Sequence, residues 1–86
     1  MTASSKQTLT LTKFLLRSKT LKLYRDILRT IKRIPNKEHQ AELKSWVRRD
    51  FENNKHLTNE DAIKYNLNRG KSFYEELLSS LNLAVS

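Results

Sequence analysis

The sequence predicts an all-α fold, a single antiparallel three-helix bundle with a basic N-terminal extension. Apolar residues recur every three or four positions in three segments, which is the spacing of a buried helical stripe. Pro35 separates the first two segments, because proline cannot continue a helix and disfavours helical geometry just before it. The 86 residues suffice for one small domain, and they contain no repeat or low-complexity tract.

The first predicted helix begins near Thr10–Thr12 and ends near Arg33. At about 100° per residue, one arc collects its apolar side chains: Leu21, Leu23, Tyr24, Ile27, Leu28 and Ile31. The opposite arc is mostly basic: Lys22, Arg25, Arg29, Lys32 and Arg33. Arg25 lies at the boundary, where its stem can cover apolar surface while its guanidinium faces outward. We therefore expect Tyr24 in the core and Arg25 on a charged surface.

The second predicted helix runs from Lys37 to Asn54, with Asn36 as its N-cap. Four apolar residues of this helix have the spacing of a buried stripe: Leu43, Trp46, Val47 and Phe51. Lys44 and Arg48 lie on one flank of this stripe, and Arg49 lies on the other. Asp50 falls near the buried side, so it either reaches water from a frayed last turn or pairs with a basic residue of the first helix.

The third predicted helix opens at 58–61, where Thr58 and Asp61 have capping-box spacing, and continues to about Asn82. A heptad-like seam runs along it: Ile63, Leu67, Gly70, Tyr74, Leu77 and Leu81. The glycine costs roughly 1 kcal/mol relative to alanine. Either the backbone of a neighbouring helix approaches closely at Gly70, or the gap leaves room for a group that is not protein.

Composition limits the classes of function. Seventeen basic and nine acidic residues give a net charge of +8, which favours an acidic partner. The absence of cysteine excludes disulfides and cysteine-ligated metals, and His39 and His56 alone suggest no metal cluster. No nucleophile–base set or glycine-rich phosphate loop is present, so an enzyme is not expected. No apolar run approaches the ~20 residues of a membrane span.

The N-terminal segment carries a separate signal. Asp26 is the first acidic residue, and hydroxyl, basic and scattered apolar residues precede it. This composition is typical of a mitochondrial targeting segment, and a basic solvated arm of a cytosolic protein is the alternative. Residues 1–9 are predicted to be a flexible, targeting-like segment, and residues 10–86 to be the helical domain.

The pattern LKLYRDILRTIKRIP, followed by WVRRDFENNK and a helix with an internal glycine, resembles the mitochondrial LYR-motif (complex 1 LYR-like) family. The resemblance covers roughly Leu9 to Leu81, with Leu23-Tyr24-Arg25 as the motif and Phe51 as the downstream phenylalanine. It implies a three-helix adaptor of the mitochondrial matrix that binds acylated acyl carrier protein. Such an adaptor is a subunit or assembly factor of a larger complex, expected here to be respiratory complex I, and reaches the inner membrane through that complex.

The site implied by the resemblance has two parts. The acidic carrier protein is expected to dock on five basic residues, and arginine's planar fork suits its phosphate and carboxylate groups: Arg25, Arg29, Lys44, Arg48 and Arg49. The acyl chain on the carrier's 4′-phosphopantetheine arm is expected in a pocket formed by Tyr24, Phe51, Leu67, Gly70 and Tyr74. No cofactor is expected to bind the chain directly.

Two other functions fit the charge. A basic helical RNA- or ribosome-binding protein would show salt-dependent phosphate binding. No helix-turn-helix, zinc finger or aromatic stacking platform is evident, so specific nucleic-acid binding is not expected. A membrane-surface helix is the third possibility, because the N-terminal segment is basic and amphipathic.

Overall fold

The computed structural model describes the backbone of residues 2–85 and the side chains of residues 11–82. This part of the chain forms three α-helices, α1 (Thr2–Ile31), α2 (Lys37–Asn54) and α3 (Glu60–Val85). α1 packs against both other helices, and consecutive helices run antiparallel. The predicted all-α, three-helix class is confirmed. Among the described residues, no helix has both the length and the apolar character needed to cross a bilayer.

The helix ends follow local signals. Asn36 Oδ1 accepts hydrogen bonds from the backbone N–H groups of Glu38 and His39, at 2.9 and 3.1 Å, so the predicted N-cap of α2 is confirmed. At the start of α3, Asn59 Oδ1 accepts from the N–H of Ala62 at 3.1 Å. The cap of α3 is therefore one residue later than the predicted Thr58.

α1 begins at Thr2, well before the predicted start at Thr10–Thr12. No proline or glycine interrupts residues 2–12, so nothing in that stretch stops the helix from extending. The side chains of residues 1–10 lie outside the described ones. The targeting role of residues 1–9 and the division of the chain at that point stay predictions.

The core consists of two buried clusters along α1. The first cluster joins the C-terminal halves of α1 and α3 to α2: Ile27, Ile31, Val47, Leu77 and Leu81. The second joins α1 to the first turns of α3: Leu16, Ile63 and Leu67. Leu23 packs against both clusters and links them. The predicted seam of α3 is thus largely buried, with Tyr74 half-buried at its centre.

Two residues predicted for the core are exposed. Trp46 is 50% exposed, and Leu21 is 41% exposed. Trp46 packs against Phe73 of α3 with ring centroids 5.5 Å apart. The backbones of α2 and α3 stay apart, so one side of the indole faces solvent. Leu21 lies beside the C-terminal end of α2, where that helix ceases to cover α1.

Gly70 allows the side chain of Leu23 to approach the backbone of α3. A Cβ atom at position 70 would lie 2.9 Å from Leu23 Cδ2, whereas carbon atoms in favourable contact lie about 3.5–4.0 Å apart. The expected close approach of a neighbouring backbone is therefore wrong in detail, because the group that approaches Gly70 is the side chain of Leu23. Leu23 Cδ2 occupies the space that a Cβ atom would need.

Asp50 pairs with α3. Its Oδ1 lies 2.7 Å from Arg69 Nη2, and its side chain is 41% exposed. The expected pairing with a basic residue of the first helix is wrong, because Asp50 lies on the flank of α2 that faces α3. The side chain does reach water, as the other expectation had it, but from a formed turn of α2. The same carboxylate is 3.4 Å from Asn54 Nδ2, which also donates to the Asp50 carbonyl at 2.7 Å.

Candidate functional site

A groove with cations on both sides runs between α1 and α2, and we call it the basic groove. Its volume is about 620 Å³. Its α1 side carries Arg25, Arg29 and Lys32, and its α2 side carries Lys37, Lys44 and Arg48. Leu28 and Ile31 supply apolar surface at its base. The cations are spaced at 4 and 3 along α1 and at 7 and 4 along α2, which places each set on one side of its helix.

The charges of the basic groove are largely uncompensated. No acidic side chain lines it. Arg29 alone of the six lies near a carboxylate among residues 11–82, with Nη1 3.9 Å from Asp26 Oδ1. The Arg29 side chain is 78% exposed, so water and salt screen this contact within one helix and the guanidinium stays accessible. Clustered cations without partners raise the local potential and attract an acidic partner.

Gln40 fixes one end of the basic groove. Its Nε2 donates to the carbonyl of Lys32 at 2.9 Å and, less closely, to that of Ile34 at 3.3 Å. Carbonyls at the end of a helix have no partner within the helix. Gln40 of α2 therefore satisfies the end of α1 and holds the two helices at a set separation where the groove begins.

Four of the five predicted docking residues line the basic groove: Arg25, Arg29, Lys44 and Arg48. Arg49 is exposed on the opposite flank of α2, as its helical phase predicted, and it does not line the groove. The structure adds two cations that the sequence prediction omitted from the site, Lys32 and Lys37. Each lies seven residues from a predicted member, Arg25 or Lys44, and that spacing could have identified both.

The rings of Tyr24 and Phe51 stack between α1 and α2. Their centroids lie 4.3 Å apart and their planes meet at 20°. Both rings line a small pocket of about 80 Å³ between the three helices, here called the inner pocket, together with Leu67 and Gly70. Four of the five residues predicted for the acyl-chain pocket therefore lie together. Tyr74 does not line this pocket, because it packs against the core cluster nearer the C-terminal end of α3.

Only a few side chains separate the inner pocket from two larger surface pockets. An apolar pocket of about 200 Å³ between α1 and the end of α2 shares three residues with it: Thr20, Phe51 and Asn54. A cleft of about 360 Å³ between α2 and α3 shares four: Ile27, Val47, Asp50 and Gly70.

The fold and site define a small helical protein with a cationic groove beside its LYR tripeptide. The family model "Complex 1 protein (LYR family)" matches residues 18–76. That match includes the second half of α1, all of α2 and the first two thirds of α3, with every residue of the basic groove and the inner pocket. The chain belongs to this family.

Relatives from vertebrates match over most of their length. The chain is 43% identical to human LYR motif-containing protein 2 over 79 residues, which is 92% of this chain and 90% of the relative. It is 42% identical to the Atlantic salmon (Salmo salar) protein of the same name over 76 residues, covering 88% and 84% of the two chains. No solved structure matches the chain.

Proposed function

We propose that this protein is a mitochondrial adaptor that binds acylated acyl carrier protein in its basic groove and takes the acyl chain into the helical bundle. The observation that carries the proposal is the six-cation groove, which has no acidic lining and lies beside the Tyr24–Phe51 stack. The protein would act without catalysing a reaction, as a subunit or assembly factor of a mitochondrial complex.

The basic groove suits an acidic helix. From Lys37 to Arg48 the α2 side extends over about 16 Å, and from Arg25 to Lys32 the α1 side extends over about 10 Å, at 1.5 Å per residue. An acidic helix of a few turns placed in the groove would meet cations on both sides. Arginine at three of the six positions favours paired hydrogen bonds to carboxylate or phosphate.

Entry of an acyl chain requires the bundle to open. The inner pocket holds about 80 Å³, well below the roughly 300–1,000 Å³ of ordinary ligand pockets. The contacts that would yield first are those between α2 and α3, where one half-exposed ion pair and one tilted ring pair join the helices. Each buried methylene would contribute ~0.8 kcal/mol toward that opening.

Family membership supports the mitochondrial assignment. The family is named after complex 1, and we propose respiratory complex I as the complex that the adaptor serves. The matrix is the compartment that suits an acyl carrier partner. The acid-free sequence before Asp26 is consistent with import.

The test is a titration of the full chain with acylated and bare acyl carrier protein. Wild type should bind the acylated form more tightly. The double variant Arg25→Glu/Arg48→Glu should lose binding to both forms, because it reverses charge on both sides of the groove. Arg49→Glu/Lys71→Glu, which reverses two exposed cations outside the groove and changes the net charge equally, is the matched control and should bind as wild type does.

Circular dichroism would verify that the variants stay helical. Normal binding by a folded Arg25→Glu/Arg48→Glu variant would exclude the groove as the docking site. Tight binding of RNA in a mobility-shift assay, with no binding of either carrier form, would support the nucleic-acid alternative instead.

A further inference from the structure

The middle of α1 carries a second apolar face that the described side chains of α2 and α3 leave largely exposed. Four large apolar side chains form this face, which we call the outer stripe, and they are 41–62% exposed: Leu11, Phe14, Leu15 and Leu21. At about 100° per residue they fall in an arc of about 120° centred on Ser18. Leu16, which is buried against Ile63 and Leu67, lies on the opposite side of the helix.

The outer stripe lies among cations. Arg17 and Lys19 lie at its two edges and Lys22 lies within it, and all three are exposed. The chain has no acidic residue before Asp26. A helix with an apolar strip and basic flanks is the arrangement that lies in the plane of an anionic membrane surface, with its apolar side chains in the headgroup region.

Charge also argues against pairing of the outer stripe with a second copy of this chain. Two copies packed stripe to stripe would bring Arg17 and Lys19 of each close to the same residues of the other, and like charges repel. An anionic lipid surface neutralises the same cations. Leu11, Phe14 and Leu15 are the most exposed part of the stripe, 52–62% exposed, and Leu21 continues it to the edge of the pocket beside the end of α2. A flat surface can therefore reach the first three side chains without moving either helix.

We propose that the outer stripe and its flanking cations bind the surface of a bilayer rich in anionic lipid. Binding there would leave the basic groove free, because that groove lies on the C-terminal half of α1 and against α2. The proposal does not depend on acyl carrier protein, and it gives the chain a membrane contact of its own.

The test is co-sedimentation of the full chain with phosphatidylcholine vesicles, with and without phosphatidylglycerol. Wild type should sediment with the anionic vesicles and not with phosphatidylcholine alone. Phe14→Gln/Leu15→Gln should weaken that binding at least about tenfold, since two apolar side chains no longer enter the lipid. Tyr65→Gln is the matched control, because Tyr65 is an equally exposed aromatic residue, 67% exposed, on α3.

Arg17→Gln/Lys19→Gln should also weaken binding and reduce its dependence on salt. Phe14→Trp in a Trp46→Phe background should show a blue-shifted emission with anionic vesicles, which reports on position 14 without requiring loss of binding. Failure of wild type to sediment with anionic vesicles would overturn the proposal. So would equal sedimentation of wild type and a folded Phe14→Gln/Leu15→Gln variant, because charge alone would then explain the binding.

Discussion

The side chains of the LYR tripeptide lie in three different environments. Leu23 fills the space beside Gly70 and links the two core clusters. Tyr24 stacks on Phe51. Arg25 is exposed and lines the basic groove. Consecutive side chains of a helix point about 100° apart. This short motif therefore reaches the core, the α1–α2 interface and the basic groove.

The contact between Leu23 and Gly70 predicts that Gly70→Leu destabilises the protein. The larger side chain must displace Leu23, and overpacking a core typically costs about 1–3 kcal/mol, which exceeds the roughly 1 kcal/mol gained from helix propensity. Thermal unfolding of Gly70→Leu, Leu23→Ala and the double variant Leu23→Ala/Gly70→Leu measures this loss of stability. The double variant should recover part of the loss, whereas a more stable Gly70→Leu would mean that an empty gap exists at this position.

Arg48 and Arg49 are adjacent in the sequence but lie on opposite flanks of α2. Only Arg48 lines the basic groove, so Arg48→Glu should weaken binding of acylated carrier protein at least about tenfold more than Arg49→Glu does. Both variants change the net charge equally, which makes each a control for the other. Equal losses in a titration would mean that the partner responds to overall charge and not to the groove.

At the scale of the elements, helical spacing and capping residues predict the fold well. Asn36 and Asn54 bound α2 as expected, and four seam positions of α3 are buried. Spacing identifies the face of a helix but not what covers it. Trp46 lies on the predicted stripe of α2, yet the cleft between α2 and α3 leaves it half exposed. The pattern of residues in α2 alone also does not show which helix lies next to Asp50, so its partner on α3 could not be predicted.

The two aromatic contacts of α2 should therefore differ in their effect on stability. Phe51 is half-buried and stacked on Tyr24, so Phe51→Ala should cost about 2–3 kcal/mol, somewhat less than a fully buried phenylalanine. Trp46→Ala should cost about 1 kcal/mol, because half of the side chain already contacts water. Denaturant unfolding of both variants measures the difference. A larger loss for Trp46→Ala would mean that α2 depends more on α3 than on α1.

The whole molecule is thin and elongated. Its principal extents are 56 × 23 × 16 Å and its radius of gyration is 15.7 Å, against about 12 Å for a compact domain of this length. A bundle of this shape has little interior, and its exposed features are the basic groove, the α2–α3 cleft and the outer stripe. The charge and the LYR pattern predicted most of the groove. The sequence alone did not distinguish the outer stripe of α1 from core positions. The spacing of apolar residues does not show where a neighbouring helix ends and leaves such residues exposed.

The central claim is that acyl carrier protein docks between α1 and α2. The most direct measurement is an NMR titration of the isotopically labelled chain with acylated carrier protein, followed through backbone amides. We predict large shifts in residues 25–32 and 37–48, on both sides of the basic groove, that weaken with salt. Further shifts around the inner pocket should appear with the acylated carrier and not with the bare carrier. Shifts concentrated in residues 11–21 of α1 or along the exposed face of α3, with residues 25–32 and 37–48 unchanged, would contradict the central claim.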